Sequence, residues 1–199
     1  MPLLRRLASR PVEPDSALSP LTALLDQYQP EGDQEQADLR RVRALAASAG
    51  DPWRRDIPLH ITASALIADP ATGRVLLRWH QRQQAWLQVG GHGDPGESEP
   101  LAIALREGEE ETGLGDLVPW PDAQLRHLAI VAVPAGRGEP AHEHADLRYF
   151  MATRTPEAIR PEHENTALRW LSLAQAREAT SEANLLITLG RLERFLARP

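Results

Sequence analysis

Gly90, Gly91, Gly93 and Gly96 crowd into seven residues and run into an acidic segment ending at Leu114 that reads as a helix. Positions i, i+3 and i+4 share one helix face, so Glu107, Glu110 and Glu111 project together. Three carboxylates held so close repel one another, and a surface helix gains nothing from that. A hard divalent cation such as Mg²⁺, which prefers oxygen ligands, converts the repulsion into binding. The competing reading is an ordinary amphipathic helix. Leu101, Ala104, Leu105, Gly108 and Thr112 form an arc that can pack on a sheet, and the glutamates form a neighbouring solvated arc. That reading leaves the glycine-rich lead-in unexplained. It also leaves Gly108, which costs about 1 kcal/mol relative to alanine in a helix interior and predicts close approach to another element.

The chain has 199 residues, enough for one packed α/β domain with an appendage. No apolar run approaches the ~20 residues needed to cross a bilayer. Proline interrupts the opening MPLLRRLASRPVEP before a signal-like core develops. Cysteine is absent, which removes disulfides and thiolate metal sites. A cytoplasmic location is the expectation, with no membrane partner. The net charge of −6 argues against broad nucleic-acid binding. A small phosphorylated ligand stays compatible, because a bound metal supplies local positive charge. All 22 basic side chains are arginine, so Schiff-base and P-loop lysine chemistry are excluded.

Along the chain, residues 1–57 read as an N-terminal arm and helical hairpin, and residues 58–199 as the main domain. The arm covers residues 1–16. In the hairpin, Leu21, Leu24 and Leu25 belong to one helix, and Leu39, Val42 and Leu45 to another. Pro30-Glu31-Gly32-Asp33 is the turn between them, with Asp33 the expected N-cap. Covering the active site, stabilising a sheet edge and forming a homodimer contact are all open roles for it. From Leu59 the period changes to strand: 61–67, 74–79, 85–89, 127–133, 147–152 and 168–171 are the expected strands. A helix over 182–197 closes the chain, with Leu185, Leu186, Leu189 and Phe195 buried.

The segment from Gly90 to Leu114 resembles the signature of the Nudix hydrolase family, G-x5-E-x7-R-E-U-x-E-E-x-G-U, where U is a bulky aliphatic. Gly91, Glu97, Arg106, Glu107, Glu110, Glu111, Gly113 and Leu114 match. Eight residues rather than seven separate Glu97 from Arg106, and Gly108 stands where an aliphatic is expected. The extra residue falls most naturally in Ser98-Glu99-Pro100, which leaves open whether Glu97 keeps its family role. The lead-in Trp86-Leu87-Gln88-Val89, and Glu164 ahead of Leu168-Arg169-Trp170, also resemble the family.

The resemblance implies a Nudix-like α/β/α sandwich with a mixed β-sheet, plus the N-terminal helical extension. It implies hydrolysis of a diphosphate bond in a nucleoside-diphosphate-linked small molecule, with Mg²⁺ or Mn²⁺ as cofactor. Glu107, Glu110, Glu111 and the carbonyl of Gly90 would be the metal ligands. Glu107 is also a candidate base, and Arg106 would orient Glu97 or the loop. A base outside the signature has Glu139, Glu143 and Glu164 as candidates.

For substrate contact the candidates are Arg78, Gln84, His92, His142 and His144, with Arg82 nearby. His142, His144 and Asp146 share one face if their segment is a strand, and could bind a second metal or touch phosphate. His60, His80 and His127 read as ordinary half-buried strand residues. Trp53, Trp79, Trp86, Trp120 and Trp170 are available for base stacking, with Trp86 and Trp170 better explained by the core. Two competitors remain. One is a non-catalytic Nudix module binding a nucleotide-like ligand, against which the retained glutamates argue. The other is an isoprenyl-diphosphate isomerase, whose usual pattern needs a cysteine.

Overall fold

The computed structural model describes residues 19–48, 50–136 and 138–197; the arm expected over 1–16 lies outside them. In chain order the elements are α1 (Pro20–Gln27), α2 (Asp33–Ala46), β1 (Leu59–Asp69), β2 (Arg74–His80), β3 (Ala85–Leu87), β4 (Val89–Gly91), α3 (Pro100–Thr112), β5 (Val118–Pro119), β6 (His127–Val133), β7 (His142–Ala152), β8 (Leu168–Ser172), α4 (Leu173–Ala179) and α5 (Ala183–Leu196). Among the described residues no helix is long and apolar enough to cross a membrane.

β1 is the spine of one mixed sheet. It runs parallel to β7, and every other pairing is antiparallel: β2 with β1, β3 and β8, β4 with β1, and β5 and β6 with β7. A strand buried on both faces loses polar alternation, and β1 does so in its second half. Ile61, Ala63, Ala65 and Ile67 face a core shared with Leu21, Leu25, Leu39, Val42 and Ile103. Leu66 and Ala68 face a second core with Ala176, Leu185, Leu189 and Leu192. Helices therefore cover both faces, giving the α/β/α layering. Gly108 sits at the tight point between α3 and the sheet. A Cβ there would fall 2.9 Å from Leu117 Cδ1 and 3.7 Å from the Ala65 Cβ. Leu117 thus supplies the aliphatic bulk that the helix position itself lacks.

Two local expectations change. Residues 85–89 do not form one strand, because at Gln88 the chain steps from the edge of β2 to the edge of β1. Gly32, at φ 85°, takes the N-cap position of α2, and Asp33 begins the helix. The cap needs non-helical backbone, which glycine adopts freely, while Asp33 still meets the helix dipole from the first turn.

The hairpin closes a sheet edge. Among the described residues β6 pairs only with β7, and on its other side Glu35 and Asp38 of α2 accept the N–H groups of Leu128 and Ile130, at 3.1 and 3.0 Å. Glu35 is itself buried against Arg191 of α5 and the Tyr28 hydroxyl.

His127, at the start of β6, is buried rather than half-buried, with Nδ1 2.8 Å from Thr188 Oγ1. Burial, then the charges of Arg148 and Arg191, push its pKa down to about 2, despite Glu35 at 4.0 Å. The folded state therefore keeps this ring neutral below pH 6.5, where the unfolded chain takes up a proton. Stability should fall with pH from 6.5 downward, by about 1.4 kcal/mol per unit for this group. Urea denaturation of His127→Gln between pH 6.5 and 5 should show a shallower dependence than the parent; equal slopes would rule the group out.

Candidate active site

A cleft of about 760 Å³ opens where the polar half of β1 meets β7. Parallel register sets His60 beside His144, Thr62 beside Asp146 and Ser64 beside Arg148. Alternation sends all six to one face, the face that α5 covers farther along the sheet. Arg78 from β2, Gly90 and Gly91 from β4, and Glu107 and Glu111 from α3 also line it.

The two glycines let α3 reach the cleft. Gly90 has φ 147°, and a Cβ on it would fall 2.5 Å from the Ser64 Cα and 2.6 Å from the Ala63 carbonyl. A Cβ on Gly91 would fall 2.7 Å from the Glu107 carboxyl carbon. Only this bare backbone lets β4 lie against β1 while the glutamate lies against β4.

Glu111, 7% exposed, accepts the Gly90 N–H at 3.1 Å and faces the Arg78 guanidinium at 3.2 Å. Burial pushes its carboxyl up to about 7, against the pull of Arg78. Burial also raises Glu107, opposed by Arg106. Glu111 therefore belongs to the buried arc of α3, not to the solvated arc of the ordinary amphipathic reading. Glu110 is exposed and joins the group through Arg106.

Arg106 ties the group together. Its Nη1 donates to Glu107 at 3.1 Å and to Glu110 at 2.8 Å, while Nη2 donates to Glu97 and to the His92 carbonyl, each at 2.9 Å. These bonds hold Glu97 below the ordinary carboxylate range.

Beyond Gly91 the wall turns to histidine. His60 Nε2 lies 3.0 Å from His92 Nε2, and His142 Nε2 lies 3.2 Å from His144 Nε2. Burial, then neighbouring positive charge, lowers His92 to about 3; burial and His60 lower His144 to about 4. Deeper in the cleft, Asp146 accepts from Ser64 at 2.7 Å, Gln88 at 3.1 Å and Arg148 at 2.7 Å. Arg148, 2% exposed, is anchored in turn by Asn184 and Thr188 of α5.

The NUDIX domain family matches residues 58–189, well over half of the chain. The chain belongs to the Nudix family. Its fold is similar to that of an Ap4A hydrolase from C. elegans, at 22% identity and TM-score 0.55, covering 69% of this chain and 97% of that one. It is also similar to a NUDIX-family hydrolase from Clostridium perfringens, at 23% identity and TM-score 0.54, covering 68% and 97%. A search of curated proteins finds no match.

Within the Nudix signature, the extra residue does not break the Glu97–Arg106 contact. Glu97 reaches Arg106 through Nε and Nη2 and also accepts the Asp94 N–H at 2.8 Å. The α3 helix begins at Pro100, so Ser98 and Glu99 lie in the turn between Glu97 and the helix. Gly113 ends the helix in the left-handed conformation, φ 69°.

The other expected residues divide. Arg78, His92, His142 and His144 line the cleft. Gln84 does not: it sits at φ 50° in the β2–β3 turn, exposed, donating to the Gln81 carbonyl. Glu139 is at the cleft mouth, paired with Arg82 at 2.8 Å. Glu143 lies on the opposite face of β7, paired with Arg41 of α2, and Glu164 is exposed in the loop before β8. None of the five tryptophans lines the cleft; Trp86 and Trp170 pack against the two cores, as expected. His60, Thr62, Ser64 and Arg148 were missed as site residues. Their signal was the polar alternation HxTxS and HxHxDxR in otherwise apolar strands.

Proposed function

We propose that this cleft hydrolyses a phosphoanhydride bond in a nucleoside-diphosphate-linked substrate, using Mg²⁺ or Mn²⁺. The observation that carries this is Glu111 on the Gly90 N–H and Glu107 against the bare Gly91, with Arg106 joining Glu107 to Glu110 one turn along the same helix. The donors there are all oxygen, three carboxylates and the Gly90 carbonyl, which suits a hard cation. Burial that raises Glu107 and Glu111 is a cost that a divalent cation relieves.

Glu107, Glu110, Glu111 and the Gly90 carbonyl would hold the ion. When bound, it neutralises phosphate charge and acidifies water. The chain's own residues supply position and proton transfer. Arg106 fixes the angles of Glu97, Glu107 and Glu110. Arg78, on the cleft wall beside Glu111, places positive charge for a phosphate chain. Water attacks phosphorus and the bridging P–O bond breaks, its electron pair leaving with the departing phosphate oxygen. The water proton passes to the Glu107 carboxylate.

The test is a panel of nucleoside triphosphates, dinucleoside polyphosphates, ADP-ribose, nucleotide sugars and coenzyme A with Mg²⁺ or Mn²⁺. Hydrolysis of at least one member, lost with chelator and restored by Mg²⁺ or Mn²⁺, is expected. Binding of a member without turnover under either ion would instead identify a ligand-binding Nudix module.

A further inference from the structure

Four imidazoles gather at the cleft wall: His60 from β1, His92 after β4, and His142 and His144 from β7. Ligand atoms of His60, His92 and His144 all lie within 4.8 Å of one another. We propose that these four histidines bind a borderline transition-metal ion of the Zn²⁺ class, separate from the carboxylate site on α3.

Two independent features point to this. The first is spacing. Tetrahedral Zn–N bonds of 2.0–2.1 Å put ligand nitrogens about 3.3 Å apart. The Nε2 atoms of His60 and His92 are 3.0 Å apart, and those of His142 and His144 are 3.2 Å apart. The ligand atoms of three of them already lie within 4.8 Å of one another, and His142 reaches the group through His144.

The second is tautomer. His60 Nδ1 lies 2.9 Å from the Ile57 carbonyl, and His142 Nδ1 lies 2.9 Å from the Pro140 carbonyl. A carbonyl only accepts, so each Nδ1 carries the hydrogen and each Nε2 presents a lone pair to the cluster. Metal-binding histidines are held in this way, with the far ring N–H donated to a backbone carbonyl. His92, just after β4, and His144, two residues along β7 from His142, complete the set. The donor type also separates the two sites. Imidazole suits Zn²⁺, Cu²⁺ or Ni²⁺, whereas the oxygen set on α3 suits Mg²⁺ or Mn²⁺. His92 follows Gly91 directly, so the two sites stand at neighbouring positions of one cleft.

The full-length protein, stripped with chelator and dialysed, is titrated with Zn²⁺ by calorimetry and with Co²⁺ by visible absorption. One Zn²⁺ equivalent is expected, with tetrahedral Co²⁺ d–d bands that Zn²⁺ bleaches and millimolar Mg²⁺ does not. His92→Asn and His144→Asn should each weaken Zn²⁺ by more than about a hundredfold, beyond the usual cost of losing an outer partner. Glu110→Gln should keep the full equivalent, so failure here and failure of the hydrolase reading are distinguishable. Circular dichroism of each variant confirms that it folds. No Zn²⁺ uptake by the parent, or the same affinity in both folded histidine variants, overturns the proposal.

Discussion

Glu110→Gln is expected to lower kcat by about a thousandfold, equivalent to about 4 kcal/mol of transition-state stabilisation, with no shift in thermal midpoint. The two halves of that expectation come from different facts. Its carboxylate would carry charge toward the proposed ion but is 51% exposed, so the fold does not depend on it. The amide keeps the size and one acceptor oxygen for Arg106 while removing the charge. Glu111→Gln would be a less clean test, because its carboxylate is buried against Arg78 and the Gly90 N–H. Single-turnover kinetics and differential scanning calorimetry on Glu110→Gln together decide. Unchanged kcat would remove Glu110 from the metal site, and a collapsed melt would make the kinetic loss a folding effect.

The largest stability effect is expected at Arg191→Met. It strips the partner from Glu35, 4% exposed in the core, and breaking a buried pair in this way costs about 3–5 kcal/mol. For a chain of this size that is a fall of about 6–20 °C in thermal midpoint. Replacing both members with apolar residues, often harmless elsewhere, should not rescue it here. Glu35 also accepts the Leu128 N–H, which would be left buried without a partner.

The pair has a pH signature as well. Burial alone would raise the Glu35 pKa, but Arg191, Tyr28 and two backbone N–H groups outweigh it and leave the pKa lowered. A carboxylate depressed in the folded state stabilises above its unfolded pKa and loses that stabilisation as pH falls through the folded one. Arg191→Met should therefore be closest to the parent in acid and farthest from it near neutrality. A constant gap between pH 3 and pH 7 would contradict the assignment.

The acidic helix was legible because its information is local. The spacing of Glu107, Glu110 and Glu111 reports one helix face whatever surrounds it, and the glycines before it report a backbone that must pass close to something. The histidine cluster was not legible in the same way. His60 and His92 are 32 residues apart, and His60 joins His144 only because β1 and β7 run parallel in one register. A period-2 pattern tells which side chains share a face but not which strand lies alongside. The insertion before Arg106 was ambiguous for a related reason. Whether a turn absorbs one more residue depends on the backbone of that turn, and here Glu97 still reaches the guanidinium. Glu143 failed by a single position, since neighbours on a strand face opposite ways.

The Glu35–Arg191 contact also puts the chain on a clock. The two residues are 156 apart in sequence. During synthesis at ~5–20 residues per second, α2 leaves the ribosome roughly 8–30 s before α5 follows it. Through that interval Glu35 has its charge but not its counter-charge, so its burial opposes the docking that Leu39 and Val42 favour. Arrival of α5 makes burial of Glu35 favourable, and with it the covering of Leu128 and Ile130. The sheet edge at β6 thus has its full set of partners only once α5 is present.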